Sequence, residues 1–284
     1  MQNTPLSSEP TEFQEINYEQ VETNPNNPPW SSGIAILIWI ASVLLIFLVP
    51  ALFLAPYLIA NGGPGMNQTE MARFAVTDPT AVLIQIGAIF PAHLLTLLMC
   101  WLVVTNRNRF AFLPTLGWKS GGMRWWHYVA ILGGFFVFMV ILGAFFPEQE
   151  NDLIRILKSS RWAVYVIALL AVFTAPVIEE VVYRGVLFSA FQRSVGMPLA
   201  VLLVTLLFAV VHVPQYYPSY VTIVLLTVLS LILTLVRART DNLLPCIILH
   251  TIFNGLQSLM LLLNPETLQP GPVPIEKAAI FLSW

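Results

Sequence analysis

Thr174-Ala175-Pro176-Val177-Ile178-Glu179-Glu180-Val181-Val182-Tyr183-Arg184-Gly185 is set inside an otherwise apolar stretch, Trp162 to Ala190, that is long enough to cross a bilayer. A membrane helix needs roughly 20 consecutive apolar residues, and this one carries two carboxylates and a guanidinium. Insertion of one unpaired charged residue at a helix centre costs roughly 2.5 to 3.5 kcal/mol. Three of them in one span demand pairing or access to water. Glu180 and Arg184 stand four residues apart on one helix face, so they can form an ion pair. Glu179 is turned about 100° from Glu180, which leaves it without a partner in its own helix and directs it to a cavity between helices. Pro176 has no N–H, so it frees the carbonyl of Val172 and can kink the helix just before the pair. The plainer reading is a helix that leaves the bilayer near Glu179, but Val186-Leu187-Phe188 resume the apolar pattern at once.

Six further apolar stretches surround this one: Ile34 to Ala60, Ala81 to Val104, Tyr128 to Phe146, Pro198 to Val213, Tyr220 to Val236 and Leu243 to Leu263. The expected fold is therefore all-α, a polytopic transmembrane helix bundle of about seven spans and at most eight. Composition agrees: 57% of the 284 residues are hydrophobic and 10% charged, whereas soluble domains carry about 25% charged residues. A net charge of −2 with scattered Lys and Arg excludes nucleic acid as a partner. Cys100 and Cys246 lie in apolar stretches and make no disulfide framework.

Residues 1–33 hold Glu9, Glu12, Glu15, Glu19 and Glu22, five prolines and no Lys or Arg, and this composition predicts a disordered acidic tail. Residues 34–160 form an N-terminal set of transmembrane helices, 161–263 a core that carries the polar residues, and 264–284 a C-terminal tail. With a cytoplasmic N-terminus, the connections on that side carry Arg107, Arg109, Lys119, Arg124, Arg193, Arg237 and Arg239. The other side carries Arg73, Arg155, Lys158, Arg161 and Lys277. The excess favours the N-in orientation.

His212 closes Phe208-Ala209-Val210-Val211-His212, and the last span holds His250-Thr251-Ile252-Phe253-Asn254, whose two polar ends share a face. Each taken alone has a structural explanation, the histidine as an interfacial group and Asn254 as interhelical glue. Helix rise places Glu179 roughly 17 Å and His212 roughly 20 Å from the membrane face near Arg193, and His250 and Asn254 roughly 10 and 16 Å from it. The four can meet in one layer. His93, near Pro91 and Gln85, reads as structural or supporting, and His127 beside Trp125 and Trp126 as interfacial.

Glu179-Glu180-x-x-x-Arg184, Phe208-x-x-x-His212 and His250-x-x-x-Asn254, in that order on polar-bearing helices, resemble the three motifs of the CPBP family. This family, also called Abi, groups type II CAAX prenyl endopeptidases with bacteriocin-processing and bacteriocin-immunity enzymes. The resemblance covers Trp162 to Leu263. It implies peptide-bond hydrolysis in a CPBP-type catalytic core, with Glu179 and His212 activating water, His250 and Asn254 stabilising the oxyanion, and Glu180 and Arg184 in support. The chemistry is consistent: a general base must be ionised and within hydrogen-bond reach of its water, and amide hydrolysis needs donors aimed at the developing oxyanion.

No cofactor is expected. Glu179, His212 and His250 would be an acceptable zinc set, as family members labelled metalloproteases suggest, but the chain has no HExxH, and the metal-free reading is preferred. The expected partners are the lipid bilayer and a peptide or protein substrate in or at the membrane, which for an integral protein of this type is the bacterial plasma membrane. A non-catalytic scaffold or immunity protein is the first alternative. A transporter or proton relay is the second, although its polar residues would be expected in two corresponding halves and here they cluster in one.

Overall fold

The computed structural model of the chain describes residues 23–62, 65–146 and 149–263. Every regular element in them is helical. In chain order these are α1 (Ser32–Asn61), α2 (Gln68–Thr77), α3 (Pro79–Gly87), α4 (Ile89–Val104), α5 (Phe112–Leu116), α6 (Trp125–Phe145) and α7 (Asp152–Ser159). Then come α8 (Arg161–Phe173), α9 (Ala175–Glu180), a π-helical segment (Val181–Leu187), α10 (Phe188–Val195), α11 (Met197–Tyr216), α12 (Tyr220–Thr240) and α13 (Leu244–Leu263).

Seven of the described helical stretches are long and apolar enough to cross a membrane: Ser32–Asn61, Pro79–Val104, Trp125–Phe145, Arg161–Val195, Met197–Tyr216, Tyr220–Thr240 and Leu244–Leu263. They coincide with the seven expected apolar stretches. The largest differences are at the C-termini of the fourth and sixth, which run past the apolar residues to Val195 and Thr240 because a helix continues through polar residues at its end. The outer spans are apolar all round. Leu37, Leu52 and Ile59 on α1 and Val129 and Val140 on α6 are exposed by 60% or more of their surface, as expected of side chains facing hydrocarbon rather than water.

The central element is the fourth span, assembled from α8, α9, the π-helical segment and α10. Val181, Val186, Leu187, Phe188 and Ala190 are at most 1% exposed and pack in one core with Ala35 of α1, Cys100 and Val104 of α4, and Ala200 and Val204 of α11. This burial on every side makes it the scaffold on which the polar residues are mounted. Gly185 faces Leu116 of α5, where even a Cβ would come within 3.1 Å of the leucine.

Residues 23–31 correct the expectation of a tail disordered through residue 33; residues 1–22 lie outside the described residues. Asn24 Oδ1 accepts from the backbone N–H groups of Asn26 and Asn27, a local turn that folds the segment back on the bundle. Trp30 is 2% exposed, and its indole N–H donates to the Val186 carbonyl at 3.0 Å. Arg193 donates to the carbonyls of Pro28 and Trp30. Arg237 donates to the Pro25 carbonyl at 2.7 Å and to Ser189 Oγ at 3.0 Å. The side chain of Arg237, which by sequence belongs to a charged connection, is fully buried. A strap without side-chain charges is ordered because its carbonyls accept from two guanidiniums, one of them fully buried. Gly117, at φ +78°, admits this packing, since a Cβ there would lie 2.8 Å from both Pro25 Cγ and the Asp241 carbonyl oxygen.

Trp30→Phe keeps an aromatic side chain of smaller volume and removes the N–H that serves Val186. It is expected to cost about 1 to 2 kcal/mol, seen as a lower thermal unfolding midpoint in detergent. A midpoint equal to that of the parent protein would show that the strap is not docked in the membrane-inserted state.

Three short helices, α2, α5 and α7, had no counterpart among the expected spans. α7 is amphipathic, with Asn151 capping it through a bond to the Ile154 N–H and Asp152 paired to Arg155 at 2.6 Å. The C-terminal tail, 264–284, lies outside the described residues.

Candidate active site

The fourth span is broken where Pro176 predicts. α8 ends at Phe173, Thr174 stands between the two helices, and Pro176 occupies the first turn of α9, where its missing N–H is tolerated. The break frees carbonyls at the end of α8. One of them is claimed from outside, because Asn254 Nδ2 donates to the Ala171 carbonyl at 2.8 Å. α9 has six residues and ends on Glu179 and Glu180. The ladder then widens, with the Phe188 N–H reaching the Tyr183 carbonyl five residues back. Such π-helical turns are frequent at functional sites because the additional residue re-aims side chains.

Glu180 and Arg184 form the ion pair expected from their spacing, Nη1 to Oε1 at 2.8 Å, with both side chains fully buried. A buried pair needs further hydrogen bonds to offset desolvation, and α12 supplies them. Arg184 Nε donates to Thr234 Oγ1 at 3.2 Å, and Nη2 donates to the Ser230 carbonyl at 3.0 Å and to Ser230 Oγ at 2.7 Å. Its guanidinium also lies 4.8 Å from the centre of the Phe208 ring, a cation–π contact. Ser230 and Thr234 belong to none of the three motifs. The signal for them was two hydroxyls four residues apart in an apolar span, which is faint because such residues also bond their own helix, as Thr234 does to the Ser230 carbonyl at 2.7 Å.

His250 stands between the two glutamates. Its Nδ1 is 2.8 Å from Glu180 Oε1, and because a carboxylate ion-paired to Arg184 only accepts, Nδ1 carries the hydrogen. Nε2 is thereby turned towards Glu179, whose Oε2 is 3.9 Å away. The Glu179 side chain is 25% exposed, whereas Glu180 beside it is sealed. Glu180 Oε2 is buried without a hydrogen-bond partner among the described residues.

His212 donates Nδ1–H to the Phe208 carbonyl at 2.6 Å, so in the neutral ring it is Nε2 that carries the lone pair. The ring stacks on Phe208 at 4.6 Å, and the same phenyl ring lies 6.4 Å from the His250 ring. Phe208 is thus a common wall for Arg184, His212 and His250. Glu179, Glu180, His250 and Arg184 are brought together directly, His212 joins them across Phe208, and Asn254 has one amide hydrogen committed to the helix break. His93 is 7% exposed and meets Thr174 Oγ1 through Nδ1 at 2.9 Å. His127 sits at the start of α6, stacked on Trp126 and accepting from the Arg124 N–H.

A metal would need three donors from Glu179, His212 and His250. Among the described residues, no three His, Cys, Asp or Glu side chains are gathered closely enough to hold a metal ion. Of the three, His212 and His250 are oriented by bonds from Nδ1 to the Phe208 carbonyl and to Glu180, and a catalytic zinc centre would need all three donors on one ion.

Residues 161–256 match the family described as type II CAAX prenyl endopeptidase Rce1-like. The matched segment holds all three motifs, in agreement with the CPBP resemblance. No curated protein and no solved structure matches the chain. The protein is an integral membrane protein whose helical core is similar to that of CAAX-type membrane endopeptidases.

Proposed function

We propose that a chain whose residues 161–256 are Rce1-like is an endopeptidase of membrane-associated peptides or proteins that uses glutamate-activated water inside the bilayer. One observation carries this reading: His250 is fixed through Nδ1 at 2.8 Å from Glu180 and holds Nε2 at 3.9 Å from Glu179. That gap is too long for a direct hydrogen bond and lets a single water touch both atoms. Glu179 then takes a proton from the water as its oxygen attacks the scissile carbonyl carbon. The carbonyl π pair becomes the oxyanion, and its collapse expels the amine, which leaves with the proton that Glu179 returns.

His212, with Nδ1–H given to the Phe208 carbonyl, orients the water through the Nε2 lone pair. His250 and Asn254 face the oxyanion. Asn254 has a second amide hydrogen for this purpose, and His250 donates from Nε2 when its ring carries both protons. Such donors are worth about 3 to 4 kcal/mol each in comparable sites. Glu180 and Arg184 hold His250 in its tautomer and orientation. The substrate enters from the membrane, and the N-terminus lies on the cytoplasmic side of a bacterial plasma membrane.

The reading is tested by comparing membrane peptides in cells making the wild-type protein and Glu179→Ala. Peptides released only by the wild type support it, and identical peptide sets at equal protein levels refute it. Metal-free chemistry has its own test. Activity of the purified protein is expected to survive extensive chelation, with no stoichiometric metal by elemental analysis; complete loss restored by zinc would overturn that part alone.

A further inference from the structure

His93 belongs to α4, outside the segment that carries the three motifs, and the water-activating chemistry proposed above makes no use of it. It is nonetheless buried at 7% exposure in an apolar span, where an unneeded imidazole is costly. Its partner is Thr174, the residue between α8 and α9. The Thr174 hydroxyl also bonds the Leu170 carbonyl at 3.2 Å, its N–H bonds the same carbonyl at 3.0 Å, and its own carbonyl accepts from the Ile178 N–H at 3.1 Å. Thr174 is therefore bonded to both sides of the break in the helix, and the Ala171 carbonyl next to it is held by Asn254.

α9 is only six residues long, so the direction in which it leaves the break fixes where its last two side chains point. Glu180 is anchored by Arg184 and His250, both at 2.8 Å. Glu179 is instead a quarter exposed, with His250 Nε2 at 3.9 Å. Its placement depends on the angle of α9 more than on bonds of its own. α13 clamps one side of the break through Asn254, and α4 clamps the other through His93.

We infer that His93 is a positioning residue for Glu179, acting through the Thr174 hydroxyl to set the angle at which α9 presents the catalytic carboxylate to His250. The inference rests on the hydrolase reading above. A misplacement of about 1 Å in such a site can cost up to about 100-fold in rate. His93→Phe and Thr174→Val, which keep bulk and remove the bond, should each lower kcat by about 10- to 100-fold with KM unchanged. The double variant should be no slower than either single one, and Thr174→Ser should recover most of the rate.

A second measurement does not depend on turnover. The chain has four histidines, so the imidazole signals of 15N-histidine-labelled full-length protein in micelles can be assigned by single substitutions. The His250 signal should move in His93→Phe and Thr174→Val and return in Thr174→Ser. An unmoved His250 signal in both variants overturns the inference. So does full activity of His93→Phe where Glu179→Ala is inactive, or a matching fall in thermal stability that accounts for the lost rate. Cleavage by Glu179→Ala would instead sink the hydrolase reading itself, which keeps the two failures apart.

Discussion

Glutamine at position 179 is expected to lower the rate of peptide cleavage by about a thousandfold or more, the scale of losing a positioned general base, while the protein inserts and purifies as the wild type does. The two halves of this expectation have separate physical grounds. Among the described residues the Glu179 carboxylate comes no closer to a charged or ionisable group than its 3.9 Å approach to His250 Nε2 and is a quarter exposed, so little folding free energy depends on its charge. An amide of the same shape fills the same space and can hydrogen-bond water, but it cannot take a proton from it. His212→Ala should likewise abolish cleavage, since Nε2 is the atom left free by the bond to the Phe208 carbonyl. Initial rates on a peptide identified in the cellular comparison, normalised to folded protein by thermal melting, give the readout. A Glu179→Gln protein that retains a tenth or more of wild-type activity would remove Glu179 from the chemistry.

Arg184→Ala is expected to act in the opposite manner, on stability first. The guanidinium is fully buried and makes bonds to Glu180, Thr234 and Ser230. Its removal leaves Glu180 as a buried charge whose one remaining partner is His250. Stranding one member of a buried pair costs about 3 to 5 kcal/mol, to be seen as a large drop in thermal midpoint and as increased protease sensitivity in detergent. Replacing both members by apolar residues, Glu180→Leu with Arg184→Met, removes the stranded charge and should recover much of that stability. Activity should not return with it, because His250 Nδ1 then has no carboxylate to hold it. Equal instability of the single and double variants would show that packing against Phe208 and α12, and not the charge, is what Arg184 supplies.

Legibility in the sequence followed the range of the interaction. The Glu180–Arg184 pair was readable because residues four apart share a helix face whatever surrounds them. The break before Glu179 was readable from Pro176, whose effect is local and covalent in origin. The partner of His250 was not. Its bond to Glu180 spans 70 residues, and the motif spacing allowed Glu179 as readily as Glu180. Asn254 was expected at the oxyanion, and only its approach to α8 shows that one of its hydrogens serves the Ala171 carbonyl. The strap at residues 23–31 has the composition of a tail, with few apolar side chains. What orders it is the set of acceptors its backbone offers to Arg193 and Arg237, and composition does not count backbone carbonyls.

The sequence by itself determined the number and placement of the membrane spans, the helical class, and which side chains are too polar for hydrocarbon. Each of these follows from hydropathy and helix geometry within a single segment, since a chain in lipid must satisfy its own backbone bonds locally. The tertiary structure decided which of those polar groups face one another: Ser230 and Thr234 on Arg184, Glu180 rather than Glu179 on His250 Nδ1, and His93 on the helix break. Those choices depend on how helices rotate and approach across the bundle. Several arrangements of buried donors and acceptors satisfy the same periodicity, and side-chain packing between spans selects one of them.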